Sequence, residues 1–99
     1  MSITNKSLLP SEVAEAMRND AVGRRLELLR IALERSPSEM ADSLGIERTY
    51  WSRYEKGRQG LSDSVAALLT IRYGVTLDFL ILGRWDKLPV DLAEKMRAA

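Results

Sequence analysis

The chain has 99 residues, 45% of them hydrophobic and 29% charged, which is typical of one globular domain. It lacks cysteine and histidine, which excludes disulfides and thiolate metal sites and removes the commonest general base and metal ligand. No apolar run is long enough to span a bilayer and no basic-then-apolar leader is recognisable. We therefore expect a cytoplasmic protein without a metal, a cofactor or a membrane partner; the net charge of +1 is only a weak argument for nucleic acid.

The first elements in chain order are helical. Residues 1–9 show no periodicity, and Ser11 can cap a short helix that runs through Arg18. Asp20 can cap a longer helix that extends to about Arg35. Its core-facing residues recur at helical spacing: Val22, Leu26, Leu29 and Leu33.

The next segment predicts two short helices joined by a tight turn. Ser36 and Glu39 form a Ser-x-x-Glu capping box, and Pro37 suits the first helical position, where a missing N–H is no loss. Gly45 then ends the helix, because the turn needs a left-handed residue. A second short helix begins near Glu47.

This second helix has two different faces. Trp51 and Tyr54 make its apolar face, which we expect to anchor it in the core. Its other face carries polar residues that can reach base edges: Arg48, Thr49, Ser52 and Arg53. A reader of the DNA major groove needs a helix of this kind.

Three more helices complete the predicted set. Ser62 caps a helix that ends at Gly74, and Thr76 caps a short one that ends at Gly83. The first of these is expected to fill the core with Val65, Leu68, Leu69 and Ile71. Pro89 can open a last helix, amphipathic through Leu88, Leu92 and Met96.

An ordered set of residues connects these elements to a known family: Arg30, Glu39, Ala41, Leu44-Gly45, Ser52-Arg53, Glu55-x-Gly57 and Tyr73 to Leu80. Over about Val22 to Gly83 the chain resembles the phage-repressor and Cro-like helix-turn-helix regulators of the xenobiotic-response-element type. The resemblance implies an all-α fold, a five-helix repressor-like DNA-binding domain with extra short N- and C-terminal helices. We divide the chain into a partly helical extension (1–19), the helix-turn-helix domain (20–83) and a C-terminal helical extension (84–99).

The resemblance also implies which side chains meet DNA. The expected base contacts are Arg48, Thr49, Ser52 and Arg53. The expected phosphate contacts are Ser36, Ser38, Tyr50, Lys56, Arg58 and Gln59. The alternative is that these residues only solvate an exposed helix and loop, that Thr49 caps locally and that Tyr50 packs on its own helix.

Two further roles follow from the resemblance. Arg30 and Glu55 match an ion pair that ties the recognition helix to the first long helix. Family members often form dimers through the segment around and after the fifth helix, which implies a homodimer contact at Phe79, Leu82, Trp85, Leu92 and Met96. The alternative is that the last helix folds back on its own core.

Two positions depart from the family pattern. Pro37 stands where many members have a glutamine that holds a phosphate, and proline has neither that amide nor an N–H. Glu47 stands where a small polar residue is usual; it can cap the helix or accept from cytosine, and it also repels phosphate. Both put the simplest docking mode in doubt.

We interpret the chain as a sequence-specific transcriptional regulator, a repressor rather than an activator, that binds double-stranded DNA as a homodimer. One alternative is an antitoxin that binds both DNA and a toxin protein. Another is a protein-interaction module that has lost DNA binding, as Pro37, Glu47 and the small net charge could indicate. An enzyme is least favoured, because the sequence has no histidine, cysteine or glycine-rich phosphate loop.

Overall fold

The computed structural model of the protein describes residues 8–99, and within that range it contains seven helices and no strand. The helices are α1 (Ser11–Ala16), α2 (Asn19–Ala32), α3 (Pro37–Leu44), α4 (Arg48–Glu55), α5 (Asp63–Tyr73), α6 (Leu77–Leu82) and α7 (Val90–Ala98). The predicted all-α fold is confirmed. The part of the expected N-terminal extension that covers residues 1–7 lies outside the described residues.

The helix ends of the central motif follow the predicted local chemistry. The Ser36 hydroxyl accepts from the Glu39 amide at 3.1 Å, and the Glu39 carboxylate accepts from the Ser36 amide at 2.8 Å. Both bonds of the capping box are therefore present at the start of α3. Gly45 ends α3 with φ 68°, the left-handed conformation expected there. These two ends fix the turn that leads into α4.

The first two helices differ in detail from the sequence prediction. The residue that precedes α1 is Pro10, so Ser11 lies inside the helix and does not cap it. Arg18 precedes α2, which places Asp20 in the first turn. Here α2 ends at Ala32, earlier than predicted, because Glu34 turns the chain with φ 55°. Helical periodicity predicts well which residues share the buried face of a helix, but it does not predict the residue at which the helix ends.

The core is built around α2, which packs against α1, α4, α6 and α7. Leu26 and Leu29 of α2 are fully buried. The other large side chains with full or nearly full burial come from α3 to α7 and from the turn between α5 and α6: Met40, Trp51, Leu69, Val75, Phe79, Leu80 and Met96. One helix therefore contacts both the predicted recognition helix α4 and the C-terminal helix α7.

The last helix folds back on this core, which corrects part of the expected dimer contact. Phe79, Leu92 and Met96 are only 1%, 7% and 1% exposed, so they are occupied within the chain and are not available to a partner. Leu82 and Trp85 stay half-buried, and the Trp85 ring meets Phe79 edge-on at 5.2 Å between ring centres. The amphipathic pattern of the last helix does not by itself indicate whether its apolar face packs on its own core or on a second copy of the chain.

The expected inward position of Ile71 is wrong, because its side chain is 80% exposed. Helix α5 carries apolar residues around most of its circumference, and it buries Val65, Ala66 and Leu69. A helix without a clear polar face does not indicate which apolar residue points outward.

Candidate nucleic-acid interface

The outer face of α4 presents most of the predicted base contacts. Arg48, Thr49 and Arg53 are exposed and Ser52 is half-buried. On the opposite face Trp51 is fully buried and Tyr54 is 5% exposed, as expected for core anchors. Helix α4 therefore offers a polar face to solvent while its apolar face is held in the core.

A partly buried ion pair holds the C-terminal end of α4. The Arg30 guanidinium donates to both Glu55 oxygens, with Nη2 to Oε1 at 2.7 Å and Nε to the two oxygens at 3.1 Å. The two side chains are 14% and 11% exposed. Arg30 also donates to the Arg35 carbonyl at 3.0 Å, and the Trp51 indole donates to Glu55 Oε2 at 2.5 Å. The hydrogen bond to Glu55 raises the pKa of Arg30. The contacts of Arg30 connect α2, α4 and the chain before α3.

A glycine allows α2 to approach the same end of α4. A Cβ on Gly23 would lie 2.4 Å from the Glu55 carbonyl oxygen and 2.8 Å from that of Tyr54. No side chain fits at this distance, so the helices meet backbone to backbone. This contact and the Arg30–Glu55 pair together determine the position of α4 relative to α2.

The N-terminal end of α4 carries a second ion pair, which sequence reasoning missed. Arg48 Nη2 lies 2.9 Å from Asp42 Oδ2, and Arg48 Nε lies 3.3 Å from Asp42 Oδ1. These residues are six positions apart across the turn, and their side chains are 65% and 58% exposed. Their hydrogen bonds lower the pKa of Asp42 and raise that of Arg48. No helical spacing signals this pair, because its members lie on different helices.

The predicted phosphate contacts lie before α3, within α3 and α4, and in the loop after α4. Ser36 is exposed at the start of α3, where its oxygen already accepts from Glu39, which leaves its hydroxyl proton free for another acceptor. Tyr50 is 41% exposed on α4. The exposed members are Ser36, Tyr50, Lys56 and Arg58, and the half-buried ones are Ser38 and Gln59. Pro37 begins α3 as predicted.

The loop that carries Arg58 and Gln59 is held close to the start of α2. Gly57 has φ 72°, and a Cβ there would lie 2.8 Å from the Cα of Asp20. The close approach and the left-handed backbone both require glycine. Glu47, the residue before α4, makes no capping hydrogen bond through its side chain, so that predicted option is not used in this structure.

Within residues 8–99, acidic clusters and long apolar helices would indicate other classes of site. No group of three or more acidic, cysteine or histidine side chains is placed to hold a metal ion in this part of the chain. Among the helices described, none is both long and apolar enough to cross a membrane.

Comparison with known families agrees with the geometry. The family profile described as a helix-turn-helix domain matches residues 21–79, well over half of the chain. This range begins in α2, ends in α6 and includes α3, the turn, α4 and the Arg30–Glu55 pair. No curated protein and no solved structure matches the chain. The chain therefore belongs to the helix-turn-helix domain family.

Proposed function

We propose that the protein is a sequence-specific DNA-binding regulator of the phage-repressor and Cro-like type, and that α4 reads the major groove. One observation carries this proposal. Helix α4 exposes Arg48, Thr49 and Arg53 on a continuous outer face while Trp51, Tyr54 and Glu55 hold its inner face against the core. A groove-reading helix needs both properties, because base contacts require side chains at defined positions.

We assign different tasks to two groups of residues. Base reading belongs to the outer face of α4: Arg48, Thr49, Ser52 and Arg53. Phosphate contacts belong to the residues around the motif: Ser36, Ser38, Tyr50, Lys56, Arg58 and Gln59. Contacts of the second group set the register of the protein on the duplex, and contacts of the first group select the sequence. At the start of α3, where Pro37 has no N–H and the capping box uses the Ser36 and Glu39 amides, the Ser36 hydroxyl and the Ser38 N–H are the donors left for a phosphate.

We further propose a DNA-binding unit at residues 20–83 that acts as a homodimer on a nearly palindromic site. A single recognition helix covers only a short half-site, so strong discrimination needs two copies about one helical turn of DNA apart. Leu82 and Trp85 remain as the partly accessible members of the expected contact. Repression is the simpler outcome, because it requires only that the protein occupy its site.

The direct test is selection from a random duplex library, followed by titration of the selected duplex over a range of salt concentrations. We expect one enriched motif with two-fold symmetry and an affinity that falls steeply with salt, because lysine and arginine contacts release counterions. Sedimentation with the selected duplex should show two protein chains per site. The absence of retained DNA at low salt would refute DNA binding, and a one-to-one complex on an asymmetric site would refute the dimer.

A further inference from the structure

The contact between Asp42 and Arg48 uses one particular edge of the guanidinium group. Asp42 accepts from Nε at 3.3 Å and from Nη2 at 2.9 Å, which is the side edge of the arginine fork. An arginine has five N–H donors, so three remain, one on Nη2 and two on Nη1. The end edge, made of one proton from each Nη atom, is therefore still free to donate.

The free edge has the geometry that guanine requires. Arginine recognises guanine by donating two parallel hydrogen bonds to O6 and N7 in the major groove. Arg48 is the first residue of α4, and the N-terminal residues of a recognition helix are the ones that approach base edges. An arginine on an exposed helix otherwise samples many rotamers, and each one that is excluded beforehand lowers the entropy cost of docking.

We propose that Asp42 is a positioning residue that holds Arg48 side-on, so that its end edge is directed at a guanine, and that Asp42 thereby sets the sequence preference of this protein. The inference rests on the proposed function and specifies the base that Arg48 reads. Asp42 lies on α3, outside the helix that makes the base contacts. Its carboxylate also repels phosphate, which weakens binding to all sequences alike, whereas the positioned Arg48 strengthens binding only to the correct one.

The exposure of the pair argues against a mainly structural role. Ion pairs between well-exposed side chains contribute little to folding, and here the two side chains are 65% and 58% exposed. The turn between α3 and α4 is already fixed by the capping box and by Gly45. Loss of Asp42 should therefore change DNA discrimination much more than it changes the unfolding midpoint.

The test measures discrimination at one base pair. The wild-type protein first selects a duplex from a random library, and Arg48→Ala identifies the base pair that depends on Arg48. Dissociation constants are then measured for the selected duplex, for duplexes changed at that pair, for one with 7-deazaguanine there, which lacks the N7 acceptor, and for an unrelated duplex. The variants are Asp42→Ala, Asp42→Asn and the Asp42→Ala/Arg48→Ala double change. Glu47→Gln is the matched control. Glu47 is the neighbour of Arg48 and its side chain makes no capping hydrogen bond, so this change removes a nearby carboxylate without removing such a bond.

We expect Asp42→Ala to lower discrimination at that base pair by about fivefold or more, the lower end of what one bidentate contact supplies. Its affinity for the unrelated duplex should stay equal or rise. Asp42→Asn, which keeps one acceptor, should retain part of the discrimination. In the Arg48→Ala background, loss of Asp42 should change discrimination at this pair no further. Glu47→Gln should raise affinity for the selected and the changed duplexes alike.

Several results would overturn the inference. One is that both Asp42 variants discriminate as well as the wild type at this base pair. Another is that Asp42→Ala lowers discrimination as much in the Arg48→Ala background as it does in the wild type. Loss of discrimination together with a large fall in the unfolding midpoint of both Asp42 variants would make the pair a structural tie. A preference for a pair without guanine would also contradict it. If the wild-type protein itself shows no sequence preference, the proposed function fails, and that result is distinct from a preference that survives without Asp42.

Discussion

The two ends of α4 each carry one arginine–carboxylate pair, and the pairs differ in burial far more than in distance. Arg30 and Glu55 meet at 2.7 Å with side chains 14% and 11% exposed. Arg48 and Asp42 meet at 2.9 Å with side chains 65% and 58% exposed. Nearly equal contact distances therefore accompany two different environments.

The difference in burial indicates a difference in role. Arg30 and Glu55 are mostly shielded from water, so a charge that loses its partner there regains little hydration, and the pair favours the position that α4 takes. The exposed Arg48 keeps a free edge beside its contact with Asp42, so in the proposed complex it can add a base to its contacts without giving up the carboxylate. The C-terminal end of α4 is therefore suited to fixing the position of the helix, and the N-terminal end is suited to contacting a ligand.

The largest expected effect is at the buried end. Glu55→Ala leaves Arg30 and the Trp51 indole without their shared acceptor, and we expect it to lower the free energy of unfolding by about 2–3 kcal/mol, less than the cost of breaking a fully buried pair because both side chains keep some contact with water. Arg48→Ala is the matched control at the exposed end and should leave the unfolding midpoint almost unchanged. Chemical denaturation followed by circular dichroism measures both.

A mutant cycle sharpens this expectation. The Arg30→Ala/Glu55→Ala double variant should cost less than the sum of the two single variants, because the second change removes a charge that the first left unpaired. Small, additive losses in both single variants would mean that the pair does not hold α4, and the contrast between the two ends would disappear.

Gly23→Ala tests whether position also depends on the close approach of α2. The added methyl would lie 2.4 Å from the Glu55 carbonyl oxygen, so the helices must separate. We expect a net loss of about 1–2 kcal/mol, since overpacking outweighs the gain of about 1 kcal/mol from the better helix propensity of alanine. Gly60→Ala is the control, because its nearest neighbour is the flexible Asn19 side chain at 3.3 Å. Thermal unfolding that ranks the two variants equally would contradict this reason.

At the exposed end, Arg48→Ala and Arg58→Ala should distinguish a base contact from a phosphate contact. Loss of Arg48 should reduce discrimination at one or two base pairs by about five- to a hundredfold. Loss of Arg58 should weaken binding to all sequences alike and reduce the salt slope by about one. Binding curves on matched and changed duplexes at several salt concentrations measure both. The same behaviour in both variants would remove the assignment of base reader and phosphate contact.

The smallest expected effect is an acid dependence of the exposed pair. Arg48 lowers the pKa of Asp42, so the unfolded chain takes up this proton more readily than the folded one as the pH falls. The stability that Asp42 adds is thus complete above about pH 4, its usual pKa, and is lost below that value. We expect the gap in unfolding midpoint between wild type and Asp42→Asn to close between about pH 5 and pH 3. A difference in unfolding midpoint that grows on acidification would contradict this expectation.

The sequence predicted most successfully those features that depend on a few neighbouring residues. The capping box of Ser36 and Glu39 and the left-handed Gly45 follow from local backbone chemistry, which acts in the same way in any fold. The inward position of Trp51 and Tyr54 follows from helical periodicity. The expected Arg30–Glu55 pair came from a family resemblance, and the structure has it.

The features that the sequence did not predict depend on how helices meet. Asp42 reaches Arg48 only because the turn brings α3 and α4 together at one angle. Ile71 points outward because α5 has apolar residues on most sides and its packing selects three others. Met96 lies in the core because α7 returns to α2, a choice that an amphipathic stripe leaves open. Each of these outcomes is set by tertiary contacts, which composition and spacing do not contain.

The burial of Trp51 gives the recognition helix an optical signal of its own. Its indole is fully buried and donates to Glu55, whereas Trp85, the other tryptophan, is half-buried beneath the Arg97 guanidinium. Indole emission moves to longer wavelength when water reaches the ring, so the two tryptophans report on separate regions. In a Trp85→Phe background the remaining fluorescence would follow the detachment of α4 from the core. Opening of the proposed recognition helix could then be timed apart from unfolding of the whole chain.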